Sequence, residues 1–83
     1  MATDLVAQAR EILARELNLE TASLSPRQRL REDLGMDSII ALNLIFAAER
    51  ELSVTISEED VVRLVTVADL ERLIRRLGSS TVL

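Results

Sequence analysis

Two glycines and one proline are all that punctuate this 83-residue chain, which leaves too little turn chemistry for an all-β fold. Hydrophobic residues make up 48% of it and aromatics only 1%, so Leu, Ile, Val and Ala must build the core. In several stretches these aliphatic residues recur at the spacing of one helix face. Leu5, Ala9, Ile12, Leu13 and Leu17 do so over residues 4–17, with Thr3 or Asp4 as the cap and Asn18 as the stop. Over 57–63 a short helix is capped by Ser57, and Glu58, Glu59 and Asp60 sit at its positive N-terminal end. Thr66 and Asp69 form a capping-box pattern ahead of Val67, Leu70, Leu73, Ile74 and Leu77, and Gly78 is placed as the residue that ends that helix.

The helix over 38–52 is unlike the others. Asp37 is placed to cap it. Leu44, Ile45, Ala48 and Leu52 make one apolar stripe, while Ile39, Leu42 and Phe46 make a second. A helix apolar almost all round is normally buried all round, yet a domain this small has no room to bury both stripes. One side is therefore expected to face a partner. Between the first two helices, Ser23, Ser25, Pro26, Asp33 and Gly35 argue for a long loop, pinned by Leu19, Leu24, Leu30 and Leu34, with a helical turn around Pro26–Leu30. The predicted fold is all-α: a four-helix bundle with a long first loop and a short third helix. Residues 1–78 form a single domain, and 79–83 are a flexible tail.

The size and composition narrow the function. The area scaling of small proteins buries roughly 63% of the unfolded surface, with a stability of about 4–12 kcal/mol. The chain has no cysteine and no histidine, so no disulfide supports the core, no metal site is expected, and His-based catalytic constellations are absent. An enzyme is not expected. The net charge of −4 disfavours nucleic acid and anionic membranes. No apolar run approaches the roughly 18 residues of a membrane span, and residues 1–20 lack a signal-peptide pattern, so the expected location is cytoplasmic. From Glu32 to Asp60 there are eight acids and one base, whereas the remainder holds six acids and nine arginines. The middle of the chain is an acidic block between basic flanks, suited to a basic partner. All ten basic residues are arginine, for which we have no structural account.

One segment carries chemistry: Glu32-Asp33-Leu34-Gly35-Met36-Asp37-Ser38-Ile39. Ser38 follows a helix cap on the corner after Gly35. Gly35 has no Cβ and lets another macromolecule approach the backbone. Unpaired N–H groups at the helix start favour a phosphate ester on Ser38, although the neighbouring Asp37 opposes a permanent negative charge. No His or Lys is present as a base, so Ser38 is a residue to be modified rather than a nucleophile in its own right.

This stretch resembles the Leu-Gly-x-Asp-Ser-Leu/Ile motif of the acyl, peptidyl and aminoacyl carrier proteins, and the order of helices and loop resembles theirs over most of the chain. The resemblance implies that a phosphopantetheinyl transferase moves 4′-phosphopantetheine from coenzyme A onto Ser38. It implies that Asp37 helps hold Mg²⁺ in the transferase complex, and that the arm carries an acyl or aminoacyl thioester among loading enzymes and synthase or transferase partners. Family members for fatty-acid synthesis commonly have acids along the exposed side of the second helix, where this chain has Ile40 and Asn43. Ile39, Leu42 and Phe46 are thus expected to meet partners through apolar contact, with Glu49, Glu58 and Glu59 adding electrostatic steering. That departure points to specialised polyketide-type or aminoacyl metabolism. Val62, Leu64 and Val65 are expected in the core, which is compatible with lining an acyl chain. Met1 and the short tail suggest a free-standing, monomeric protein. The alternative is an unmodified four-helix interaction module that binds through the second helix.

Overall fold

Asp4 opens the first helix: its carboxylate accepts from the Val6 and Ala7 N–H groups at 3.1 and 3.2 Å. The computed structural model describes residues 4–79, so Thr3 as an alternative cap and the proposed tail beyond Ser79 lie outside the described residues. Helix α1 (Leu5–Leu17) ends at Asn18, which takes the left-handed conformation at φ 58°. A 3-10 turn (Thr21–Ser23) follows, then α2 (Ser38–Leu52), α3 (Glu58–Val62) and α4 (Val67–Ser79). No strand occurs among the described residues, and the one extended pairing is an antiparallel bridge between Arg29 and Thr66. This is the all-α, four-helix architecture with a long first loop and a short third helix.

Helix α1 packs on both α2 and α4. Leu13, Leu30, Leu44, Val67, Leu70 and Ile74 are fully buried in the shared core. The predicted stripes of α1 and α4 are the buried ones, with Leu5, Leu17 and Leu77 at their edges. On the seam between α1 and α4, the buried Glu71 faces Arg10 at 3.5 Å, and Arg10 also donates to the Leu24 carbonyl at 3.2 Å.

The long loop departs from expectation in one place. Its 3-10 helix lies at Thr21–Ser23; at Pro26 the chain makes one hydrogen-bonded turn, with Gln28 N–H donating to the Ser25 carbonyl at 3.1 Å, but no helix over 26–30. The 26–30 backbone is engaged elsewhere: Leu30 N–H donates to the Val65 carbonyl, Val67 N–H to Gln28 and Ala68 N–H to Pro26, at 2.8–3.0 Å. Pairing with the start of α4 satisfies these groups, so a local helix has nothing to add. Leu24 and Leu30 are buried and Leu34 packs partly against the core, but Leu19 is exposed and pins nothing.

Both predicted caps near the end of the chain form. Asp60 N–H donates to the Ser57 hydroxyl while Ser57 N–H donates to Asp60, a reciprocal capping box. Asp69 and Thr66 make the same exchange at 3.2 and 2.9 Å. Gly78, however, does not stop α4, which continues through it to Ser79. The missing side chain has a packing use there, because a Cβ on Gly78 would come within 2.9 Å of Leu5 Cδ1.

These caps set an acid limit on stability. Hydrogen bonds from the Thr66 and Val65 backbone, together with Arg72, hold the Asp69 carboxyl below the ordinary carboxylate range. Asp60 is held low chiefly by its 2.5 Å bond from Arg76 on α4, and then by Ser57. A carboxyl whose folded pKa is depressed contributes stability that is present above its unfolded pKa and is lost as pH falls through the folded value. The melting temperature is therefore expected to fall as pH drops below about 4. Asp69→Asn should make that acid limb shallower. Melting curves between neutral and acid pH check this, and an equally steep fall in the variant contradicts it.

Candidate functional site

The site is built by a short run of backbone constraints that ends on an exposed hydroxyl. Arg29 N–H donates to Asp33 Oδ2 at 2.7 Å, and the turn over residues 29–35 closes with Asp33, Leu34 and Gly35 N–H groups donating back to Arg29 and Arg31. Gly35 sits at φ +72°, a left-handed value that strains other residues, and nothing lies within 4 Å of where its Cβ would be. The glycine is thus required by the turn, and the space beside it is open. Met36 then buries its side chain, and its N–H donates to the Leu30 carbonyl at 2.9 Å. With Met36 inside, Asp37 and Ser38 are turned outward.

Asp37 caps α2: its Oδ1 accepts from Ile40 N–H at 2.8 Å, and its carbonyl accepts from Ala41 N–H at 2.9 Å. Ser38 is the first residue of α2 and is exposed. The helix then divides as its two stripes require. Leu44, Ile45, Ala48 and Leu52 are buried, whereas Ile39, Leu42 and Phe46 are 72%, 53% and 55% exposed.

Between α2 and α3 runs a trough of about 560 Å³. Ser38 lines it, with Leu42, Ile45 and Phe46 on the α2 side and Ile56, Val61 and Val62 opposite. Glu49 and Glu58 also line it, and Glu49 Oε2 accepts from Ile56 N–H at 2.9 Å. Of the residues singled out in the sequence, Ser38, Leu42, Phe46, Glu49 and Glu58 therefore meet around one groove. Asp37 and Gly35 flank it through the backbone, and Ile39 and Glu59 are exposed but do not line it. Val62 and Val65 do not belong to the core as expected: they are 81% and 55% exposed, and Leu64 is only partly buried. Helix α3 is five residues long and fully buries none of them, so its apolar side chains form a groove wall. Arg31, which no sequence pattern marks, lines the trough as well.

Ser38 has no histidine or lysine anywhere in the chain to take its proton, so its hydroxyl lacks the usual partner base of a nucleophile. An exposed serine at a helix start, an open backbone beside it and an apolar trough leading away suit a tethered group with an apolar load. The architecture and site are those of a carrier. The sequence pattern of the phosphopantetheine attachment site matches residues 7–74. The chain is also 34% identical over 61 residues to an acyl carrier protein of Aster yellows witches'-broom phytoplasma (strain AYWB), covering 74% of this chain and 80% of that one. The chain belongs to the phosphopantetheine-attachment family of carrier proteins. It is a non-catalytic carrier, and 4′-phosphopantetheine from coenzyme A is its cofactor. The cofactor supplies the thiol that the sequence lacks and holds the cargo as a thioester. Family membership implies a phosphopantetheinyl transferase and synthase enzymes as the kinds of partner. Among the described residues, no helix is long and apolar enough to cross a membrane.

Proposed function

We propose that Ser38 Oγ is the attachment point of the arm and that residues 1–78 act as one carrier domain for acyl or aminoacyl groups in specialised, polyketide-type or aminoacyl, metabolism. The observation that carries this reading is the exposed Ser38 at the head of α2, opening onto the trough between α2 and α3. Asp37 is assigned to Mg²⁺ in the transferase complex, with Gly35 giving that enzyme access to the backbone. Ile39, Leu42 and Phe46 are the partner-facing stripe, flanked by Glu49, Glu58 and Glu59. Their exposure supports a docking face that works by apolar contact, with the acids steering a basic partner. The loading enzyme and the synthase or transferase enzymes meet this same face in turn, and the protein works as a cytoplasmic monomer.

The test is the intact mass of the protein before and after incubation with coenzyme A, Mg²⁺ and a broad-specificity phosphopantetheinyl transferase. A gain of one phosphopantetheinyl unit is expected. A folded, initially unmodified protein that gains nothing would instead point to the unmodified interaction module, with Ile39, Leu42 and Phe46 as its binding face.

A further inference from the structure

The trough beside Ser38 is electrically one-ended. Its two carboxylates lie away from the serine. Glu49 is eleven residues further along α2, a rise of about 16 Å, and its bond from Ile56 N–H draws the start of α3, with Glu58, to that end. Arg31 is the trough's single cation. It also lines an adjoining hollow of about 350 Å³ against Val61, Leu64 and Val65, which places it by the other end of α3. Arg10, Arg15, Arg29, Arg50, Arg72 and Arg76 each face a carboxylate. Arg27, Arg31, Arg63 and Arg75 have no ion pair or side-chain hydrogen bond among the described residues, and of these four only Arg31 lines the trough. Its nearest acids in sequence are already engaged: Glu32 and Asp33 pair with Arg29, and Asp37 caps α2.

We propose that Arg31 is a positioning residue for the arm, pairing its guanidinium with the anionic oxygens of the phosphodiester at Ser38 and so directing the arm into the trough. This rests on Ser38 as the attachment point. The planar guanidinium fork suits two phosphate oxygens, and among the described residues no carboxylate is paired with it. A carboxylate on the cargo is the other source of anionic oxygens, but at the far end of the trough it would meet Glu49 and Glu58.

The experiment uses the holo protein made with coenzyme A and a transferase, checked by mass. The ³¹P resonance of the phosphodiester is recorded for the unmutated chain, Arg31→Gln, Arg31→Lys and Arg27→Gln, the last being an exposed arginine that lines neither hollow. Arg31→Gln is expected to move the resonance towards that of the free arm, and Arg31→Lys to move it part of the way. Arg27→Gln should leave it in place. Added salt should shift the unmutated chain and not Arg31→Gln. Spontaneous hydrolysis of a hexanoyl thioester should be roughly threefold faster in Arg31→Gln, the scale of one exposed ion pair. An unmoved resonance in Arg31→Gln overturns the proposal. So does faster hydrolysis confined to an adipoyl thioester, which would make the cargo carboxylate the partner. A chain that gains no mass at Ser38 overturns the attachment reading and this one with it, and that failure shows in the mass before any resonance is recorded.

Discussion

Leu70→Ala is expected to lower the stability by about 2–5 kcal/mol, the cost of emptying a fully buried leucine site. For a domain of this size, whose total is on the order of 4–12 kcal/mol, that is enough to leave a large unfolded fraction at physiological temperature. The position explains the size of the effect. Leu70 has no exposure, lies one turn into α4 just after the Thr66–Asp69 capping box, and sits beside the equally buried Val67 and Ile74. With no disulfide and almost no aromatic mass, the core has no other reserve. Urea denaturation checks the value. Leu19→Ala is the control, since Leu19 is 40% exposed and should change stability by less than about 0.5 kcal/mol. A loss below about 1 kcal/mol for Leu70→Ala would contradict the packing described here.

Ser38→Ala should do the reverse, abolishing function while leaving the fold unharmed. Ser38 is exposed, its hydroxyl makes no hydrogen bond among the described residues, and the cap of α2 belongs to Asp37. Alanine is also the better helix former at that position, so stability should stay within about 0.5 kcal/mol of the unmutated chain. Modification by a phosphopantetheinyl transferase should disappear altogether, because no other serine or threonine in the chain follows the Leu-Gly-x-Asp pattern. Intact mass and a melting curve, taken together, check both halves. Residual labelling of a folded Ser38→Ala protein would contradict the assignment.

The helices were legible wherever local chemistry and the apolar period agreed. Asp37 and the two stripes of α2 predict a helix over 38–52, and the structure has it at Ser38–Leu52, with the second stripe exposed because α1 and the core take up the first. Capping boxes are short-range, and those of α3 and α4 were readable as residues three apart. What escaped depended on contacts between distant segments. Around Pro26–Leu30 a single turn forms and no helix, because the rest of that backbone pairs with residues 65–68, some forty positions later. Leu19 resembles its loop partners in type and fails only in placement. Val62 and Val65 look like core by composition, yet Val62 ends a five-residue helix that fully buries none of its side chains, and Val65 lies in the connection to α4. The pairing of Arg10 with the buried Glu71 joins residues about sixty positions apart. Arg31 stands out only once the fold places it, alone of the unpaired arginines, beside the trough, a property of the folded arrangement that no local pattern carries.

For the site itself, the Gly35–Asp37–Ser38 segment was readable because its demands are local: a left-handed turn, a cap and an exposed first helical residue. The trough was not, since it requires α2 and α3 to lie side by side. One wall carries Leu42 and Phe46 of the expected partner-facing stripe, and the other carries Val62, which was expected in the core.

The most direct measurement is fragmentation mass spectrometry of the unmutated protein after incubation with coenzyme A, Mg²⁺ and the transferase, locating the added group on the chain. One 4′-phosphopantetheine on Ser38, and on no other residue, is the predicted result. An adduct on a different serine, or none on a folded protein, would contradict the account.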